Sequence, residues 1–282
     1  MNLFLKHKNQ IPLRILIVVV YLALALLRPW DMFGEISGVM QTILNLAGFS
    51  FIFFHGKTRY GWKNILLFFA ITSVISWSAE TLSIATQYPF GNYHYSDLLG
   101  KKIGVVPLII MPAYFAAGYL AWTMSTIFLE NLGTGMEKRN LFLVPFIASF
   151  IMVMWDLCFD PISATIEKSW IWENGGAYFG VPISNFLGWF LTMLLIYQVF
   201  ALYLYFFIEN EHLNQNKDYW ALAPVMFLGL ALGYILNPFI KSKNLDIYWS
   251  MFLITIFTMI FTSVLNLILV YRNNETLSKS NQ

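Results

Sequence analysis

The feature that most constrains this chain is a recurring one: apolar stretches of about twenty residues, nearly free of charge, separated by polar connections. A hydrocarbon core about 30 Å thick takes about 20 such residues per helical crossing. The candidate crossings are Ile11–Leu27, Ser37–Phe54, Asn64–Ile84, Val105–Phe128, Leu141–Asp160, Ile183–Ile208, Trp220–Ile240 and Ile247–Tyr271. In lipid every backbone polar group has to be satisfied within the protein, so only helices and closed barrels cross. Continuous apolar runs do not alternate as barrel strands do. The expected fold is therefore all-α, a polytopic transmembrane helix bundle of about eight spans.

With 58% hydrophobic and only 11% charged residues, the chain has more apolar surface than one water-soluble core could hide. Residues 1–272 are expected to form a single transmembrane domain and 273–282 a short, polar, unstructured tail. Met1–Gln10 is too short for a cleaved leader, so the first span is read as retained. The lone Cys158 has no internal disulfide partner. Under an eight-span count, one side of the membrane holds Lys6, Lys8, Arg14, Lys57, Arg59, Lys63, Lys138, Arg139, Lys217, Arg272 and Lys279. The other side holds about half as many: Arg28, Lys101, Lys102, Lys168, Lys241 and Lys243. The bias places both termini in the cytoplasm, with the protein in a bacterial-type inner membrane. The net charge of +2 fits lipid headgroups and gives no reason to invoke nucleic acid.

Two connections are too long and too aromatic to be passive. Gln87–Gly104 and Phe159–Pro182 are rich in Tyr, Trp, Phe, Gly and Pro, as extramembrane or re-entrant functional loops are. An interfacial aromatic belt would explain individual rings. Beside these loops stand acids that are costly inside a span: Glu80 near the exit of the third span, and Asp156 and Asp160 at the end of the fifth. The two aspartates are four apart and share a helix face. Pro161 is expected to end that helix at Asp160. Bland roles also exist: Glu80 can bond a neighbouring helix, Asp160 can be a turn residue, and Lys101 or Lys102 can pair with an acid.

Several chemistries lack their residues. Only four histidines occur, scattered at His7, His55, His94 and His212, whereas diiron membrane enzymes take most ligands from clustered imidazoles. Gly133-Thr134-Gly135 follows no strand and so does not make a dinucleotide turn. Asp156-x-x-x-Asp160 is similar to one aspartate motif of intramembrane prenyltransferases, which hold magnesium against a diphosphate. The denser second motif of those enzymes is missing.

Two blocks together resemble a known family. The first is Glu80…Pro89-Phe90-Gly91-x-Tyr93-x-Tyr95…Leu99-Gly100…Val106-Pro107. The second is Asp156-x-x-x-Asp160-Pro161…Trp170-x-Trp172…Gly176-x-Tyr178-x-Gly180-Val181-Pro182-x-x-Asn185-Phe186-x-Gly188-Trp189. In order and spacing they resemble the CruF-type carotenoid biosynthesis family of carotenoid 1',2'-hydratases and bisanhydrobacterioruberin hydratases. Gln87-Tyr88 stands where that pattern has Thr-Gly, and Tyr114 where it has Trp.

The resemblance implies addition of water to the terminal double bond of an acyclic carotenoid end group, giving a tertiary alcohol. The residue types suit that chemistry. A carboxyl in an apolar pocket can keep a proton to give, aromatic faces can stabilise a tertiary cation, and a second carboxylate or an amide can orient water. Asp156 or Glu80 is then the proton donor, and Asp160 or Asn185 positions the water. Tyr93, Tyr95, Trp170, Trp172, Tyr178 and Trp189 contact the substrate, while Gly91, Gly180 and Gly188 serve turns or close helix contacts. No metal or organic cofactor is required, and the partners are the lipophilic carotenoid and the bilayer. The alternatives are a prenyl transferase or end-group cyclase using Asp156 and Asp160, and a carrier for a lipophilic molecule.

Overall fold

The computed structural model describes residues 10–27, 37–211, 213 and 217–279. Residues 1–9, with Lys6, His7 and Lys8, lie outside that set, as do Arg28, His212 and residues 280–282. The described chain is built from helices, with four short strands, three in the two aromatic connections and one just after the first. Five helical stretches are long and apolar enough to cross a membrane: Leu46–Thr86, Lys138–Ile166, Ile183–Phe207, Lys217–Ile240 and Leu245–Arg272. A shorter apolar helix covers Arg14–Ala23.

Helix α1 is Gln10–Leu27 and α2 is Ser37–Thr86. The polar connection expected after Phe54 does not exist as a loop. Helix continues through it and breaks at Gly61, whose φ of 74° and ψ of 167° are non-helical, a conformation that glycine adopts without the Cβ penalty. Around that point the chain doubles back. The rings of Phe53 and Phe69 are 6.0 Å apart, and a Cβ on Gly56 would lie 2.5 Å from Ile65. A straight helix would separate such pairs by many ångströms. Thus 37–60 and 62–86 are two arms of a helical hairpin. Arg59, expected at a cytoplasmic surface, is 2% exposed. It donates to Thr126 Oγ1 (2.8 Å), Gly133 O (3.0 Å) and Asn131 O (2.5 Å), tying the hairpin bend to the connection after the next helix.

That next helix, α3, is Ile110–Phe128, and it starts later than the apolar run. Val106–Pro107 is a strand (β3) paired with Lys102–Ile103 (β2). Helix α4, Leu143–Asp160, packs along α5, Ile183–Phe207. The α-helical turns stop at Asp160 as expected from Pro161, but the helical path does not stop there. Asp160 is helical at φ −64° and ψ −44°, and the chain passes into a π-turn, Pro161–Ile166. A proline inside a helix leaves the carbonyl four residues earlier without its donor. Here that carbonyl belongs to Leu157, and the Tyr178 hydroxyl donates to it at 2.9 Å. The proline is tolerated because a distant side chain supplies the missing bond.

Helix α6 is Lys217–Ile240, α7 is Leu245–Thr255, and a π-turn at Ile256–Ile260 leads into α8, Phe261–Lys279. The tail expected to be unstructured from 273 therefore has helical backbone as far as Lys279.

Candidate active site

Strand periodicity explains how the two aromatic connections face the bundle. Alternate residues of a strand point to the same side, so Tyr93 and Tyr95 of β1 (Tyr93–Tyr95) are buried while His94 faces out. In β4 (Trp170–Trp172), Trp170 and Trp172 are buried and Ile171 is exposed. The strands pair antiparallel, Tyr93 opposite Trp172 and Tyr95 opposite Trp170, and a hydrogen bond between the His94 ring and the Glu173 carboxylate at 2.5 Å bridges the outer surface. The result is a cap that turns four large rings toward the helices.

Beneath it lies Glu80, near the end of the second arm of α2 and 3% exposed. Its carboxyl accepts hydrogen bonds from the hydroxyls of Tyr93, of Tyr95 at 2.8 Å and of Tyr114 at 2.6 Å. Burial, followed by the nearby Glu80 charge, holds the phenols of Tyr93 and Tyr95 well above their usual range, so both remain donors. Glu80 is thus the fastening between cap and bundle.

Asp156 and Asp160, one helical turn apart on α4, form the second centre. Asn185, in the first turn of α5, donates through one amide nitrogen to Asp156 Oδ2 at 3.1 Å and to Asp160 Oδ2 at 2.6 Å. Trp170 of the cap lies beside Asp160. The other Asp156 oxygen, Oδ1, is buried with no partner among the described residues. Asp156 is in electrostatic range of both Asp160 and Glu80. No lysine or arginine among the described residues forms an ion pair with any of the three. Lys102 binds Asp97 at 3.1 Å and the Tyr95 carbonyl at 3.0 Å instead.

Rings join the two centres. Trp189 stacks on Tyr114 at 4.0 Å and 11° and meets Trp155 edge-on at 6.1 Å. Trp155 stacks on Phe159 at 4.4 Å, and Phe159 approaches Trp170 at 5.7 Å. Tyr93 leans on Trp172 at 4.8 Å. Gly188 permits this closeness, since a Cβ there would lie 2.7 Å from Phe90 and 2.9 Å from the Pro89 carbonyl. Such an arrangement combines carboxyl groups able to exchange protons, an amide able to orient a small polar molecule, and π-faces suited to positive charge.

Of the residues singled out from sequence, Glu80, Tyr93, Tyr95, Asp156, Asp160, Trp170, Trp172, Asn185 and Trp189 come together here. Tyr178 stands at the edge, its hydroxyl committed to Leu157 and its ring edge-on to Phe186 at 5.1 Å. Tyr114, Trp155 and Phe159 were missed. Trp155 precedes Asp156 and Phe159 precedes Asp160, so proximity to the acids was an available signal. Tyr114 had only its departure from the family's tryptophan.

The sequence model of the carotenoid biosynthesis protein family matches residues 39–268. Bisanhydrobacterioruberin hydratase of Haloarcula japonica is 29% identical over 121 residues, a stretch that covers 43% of this chain and 39% of that relative's length. No solved structure matches the chain. Because the matched region takes in both aromatic connections and all three buried acids, as well as well over half of the sequence, the chain belongs to the carotenoid biosynthesis protein family.

Proposed function

We propose that the chain adds water across the terminal C1'–C2' double bond of an acyclic carotenoid end group, giving a tertiary alcohol. In this reading it is a multi-pass protein of a bacterial-type cytoplasmic membrane, crossing eight times with both termini in the cytoplasm. The observation that carries the chemistry is the Asp156–Asn185–Asp160 cluster, enclosed by aromatic rings and free of lysine or arginine ion pairs among the described residues. That the Haloarcula relative is a hydratase favours water addition over other modifications of the same end group.

Asp156 gives its proton, from the oxygen that Asn185 does not engage, to the less substituted alkene carbon. The tertiary cation forms next to Trp189 and Trp155, where each desolvated aromatic face contributes about 1–2 kcal/mol. Asn185 and Asp160 hold a water molecule, its oxygen bonds to the cation, and the proton it sheds restores the carboxyl. Alkene and water are consumed, and one alcohol forms. Glu80 takes no part in the proton transfer. Fastened by three phenols, it holds the cap closed over the cation.

The test is a host that accumulates acyclic carotenoids, grown with and without this chain. The expected product gains one water mass, takes its oxygen from labelled water, and forms anaerobically in the presence of chelator. Oxygen derived from molecular oxygen would indicate a hydroxylase, and a magnesium requirement with diphosphate release a transferase; either would overturn the proposal. Reporters fused after Gln282 and near Gly135 are expected to read cytoplasmic, and an extracytoplasmic signal at either would overturn the topology.

A further inference from the structure

Both carboxyl groups of the Asn185 cluster reach the site from one direction. Asp156 and Asp160 are four residues apart on α4, so they project from the same helix face about one turn from each other. A single nitrogen, Asn185 Nδ2, donates to one oxygen of each, at 3.1 and 2.6 Å. The two bonded oxygens therefore lie no further apart than those two bonds laid end to end, and the Asn185 amide fills the gap between them. Asp156 Oδ1, the oxygen left over, is buried with no partner among the described residues.

That closeness limits the stereochemistry of addition. Reacting atoms approach to about 3–3.5 Å, and an alkene is attacked perpendicular to its plane. A proton arriving on one face and a water on the other would set the donor and water oxygens about 6–7 Å apart across the substrate. The group accepting the water's proton would stand a hydrogen bond further off. In glycoside hydrolysis, too, the distance between two carboxyls decides the stereochemical outcome. The cap supplies rings and one buried donor without a partner among the described residues, Trp172 Nε1. An indole N–H only donates, so it cannot take the proton that an attacking water sheds. Glu80 is the remaining buried carboxyl of the site, and both of its oxygens already accept phenol hydrogen bonds, Oε1 from Tyr114 and Oε2 from Tyr93 and Tyr95.

Resting on the hydration reading, we propose that water adds syn: the hydrogen from Asp156 and the oxygen of the water held by Asn185 and Asp160 enter the same face of the C1'–C2' double bond. The O–H bond of Asp156 breaks and a C–H bond forms at C2', using the alkene's π electrons. The water oxygen then bonds the cation at C1', and the proton it sheds goes to the Asp156 carboxylate. One alkene and one water give one alcohol, and the carboxyl groups end as they began. Entry on a single face lets that proton return without passing around the substrate.

The test uses an acyclic carotenoid with carbon-13 in only the terminal methyl trans to the chain, hydrated in deuterium oxide by the intact protein in lipid nanodiscs and sampled early in the reaction. Deuterium then marks C2', and carbon-13 records the face on which C1' was attacked. Saturating the polyene, esterifying the alcohol and eliminating the ester thermally, which removes both groups from one face, restores the C1'–C2' alkene for NMR. Syn hydration predicts that molecules keeping deuterium carry carbon-13 in the cis methyl, and that molecules losing it carry carbon-13 in the trans methyl. The reverse pairing is anti hydration; it would overturn the inference and hand the attacking water to Glu80. Equal amounts of the two pairings would overturn it as well, by showing that the cation turns over before capture. Absence of any hydrated product would overturn the hydratase reading and the inference with it.

Discussion

Exchanging Asp156 for asparagine removes a transferable proton and changes little else. The residue is fully buried, one of its oxygens accepts the Asn185 amide at 3.1 Å, and the other is open. In the Asp156→Asn protein the new side-chain carbonyl can keep the first contact, while its NH2 group occupies the open position and has no proton to give. General-acid catalysis contributes about 10²- to 10⁴-fold, or about 2.7–5.4 kcal/mol of barrier at 1.36 kcal/mol per decade. Initial rates of hydrated product, measured per mole of protein in nanodiscs, are therefore expected to fall at least about 100-fold. KM should hold, since the substrate's apolar contacts are with the rings. The fold should hold too, because replacing a buried carboxyl by a neutral isostere leaves no unpaired charge behind. A folded Asp156→Asn protein with full turnover would refute the assignment of Asp156 as donor.

Other substitutions probe the scaffold. Tyr178→Phe strips the Leu157 carbonyl of its donor, and a loss of about 1–3 kcal/mol is expected as a lower melting temperature; unchanged melting would mean the π-turn does not rely on that bond. Gly188→Ala places a methyl against the Pro89 carbonyl and the Phe90 ring, so it should cost about 1–3 kcal/mol through overpacking and slow turnover by displacing Trp189. Asp97→Asn should leave turnover within about twofold, because an exposed ion pair contributes little and the Asp97 side chain is fully exposed beside Lys102.

The long apolar helices were legible because lipid obliges each segment to satisfy its own backbone, which leaves a hydropathy signal in one dimension. The acids were legible for the converse reason, a carboxyl in such a segment being too costly to keep without a use. The hairpin bend was not, since Lys57, Arg59 and Lys63 look like loop residues, and only packing shows that Arg59 turns inward to cap carbonyls. Nor could Pro161 reveal its own tolerance, which depends on a hydroxyl supplied by Tyr178 from beyond the next strand. The pairing of β1 with β4 had a trace in the alternation of Tyr-x-Tyr and Trp-x-Trp, a period of two set between helical periods. The choice of partner strand was a tertiary matter.

That pairing also imposes parity on the chain's path. Two strands that share hydrogen bonds lie on one side of the bilayer, so the chain between Tyr95 and Trp170 must cross an even number of times. If Lys138–Ile166 crosses, Ile110–Phe128 must cross as well, although it is not among the five helices apolar enough to be recognised as spans. Its modest hydropathy then has a reason. Most of its side chains, from Tyr114 through Ile127, are buried against other parts of the protein, so lipid never tests them. A crossing helix wrapped by its neighbours answers to the chemistry of those neighbours, and that leaves it free to carry polar groups such as the Tyr114 hydroxyl to mid-bundle.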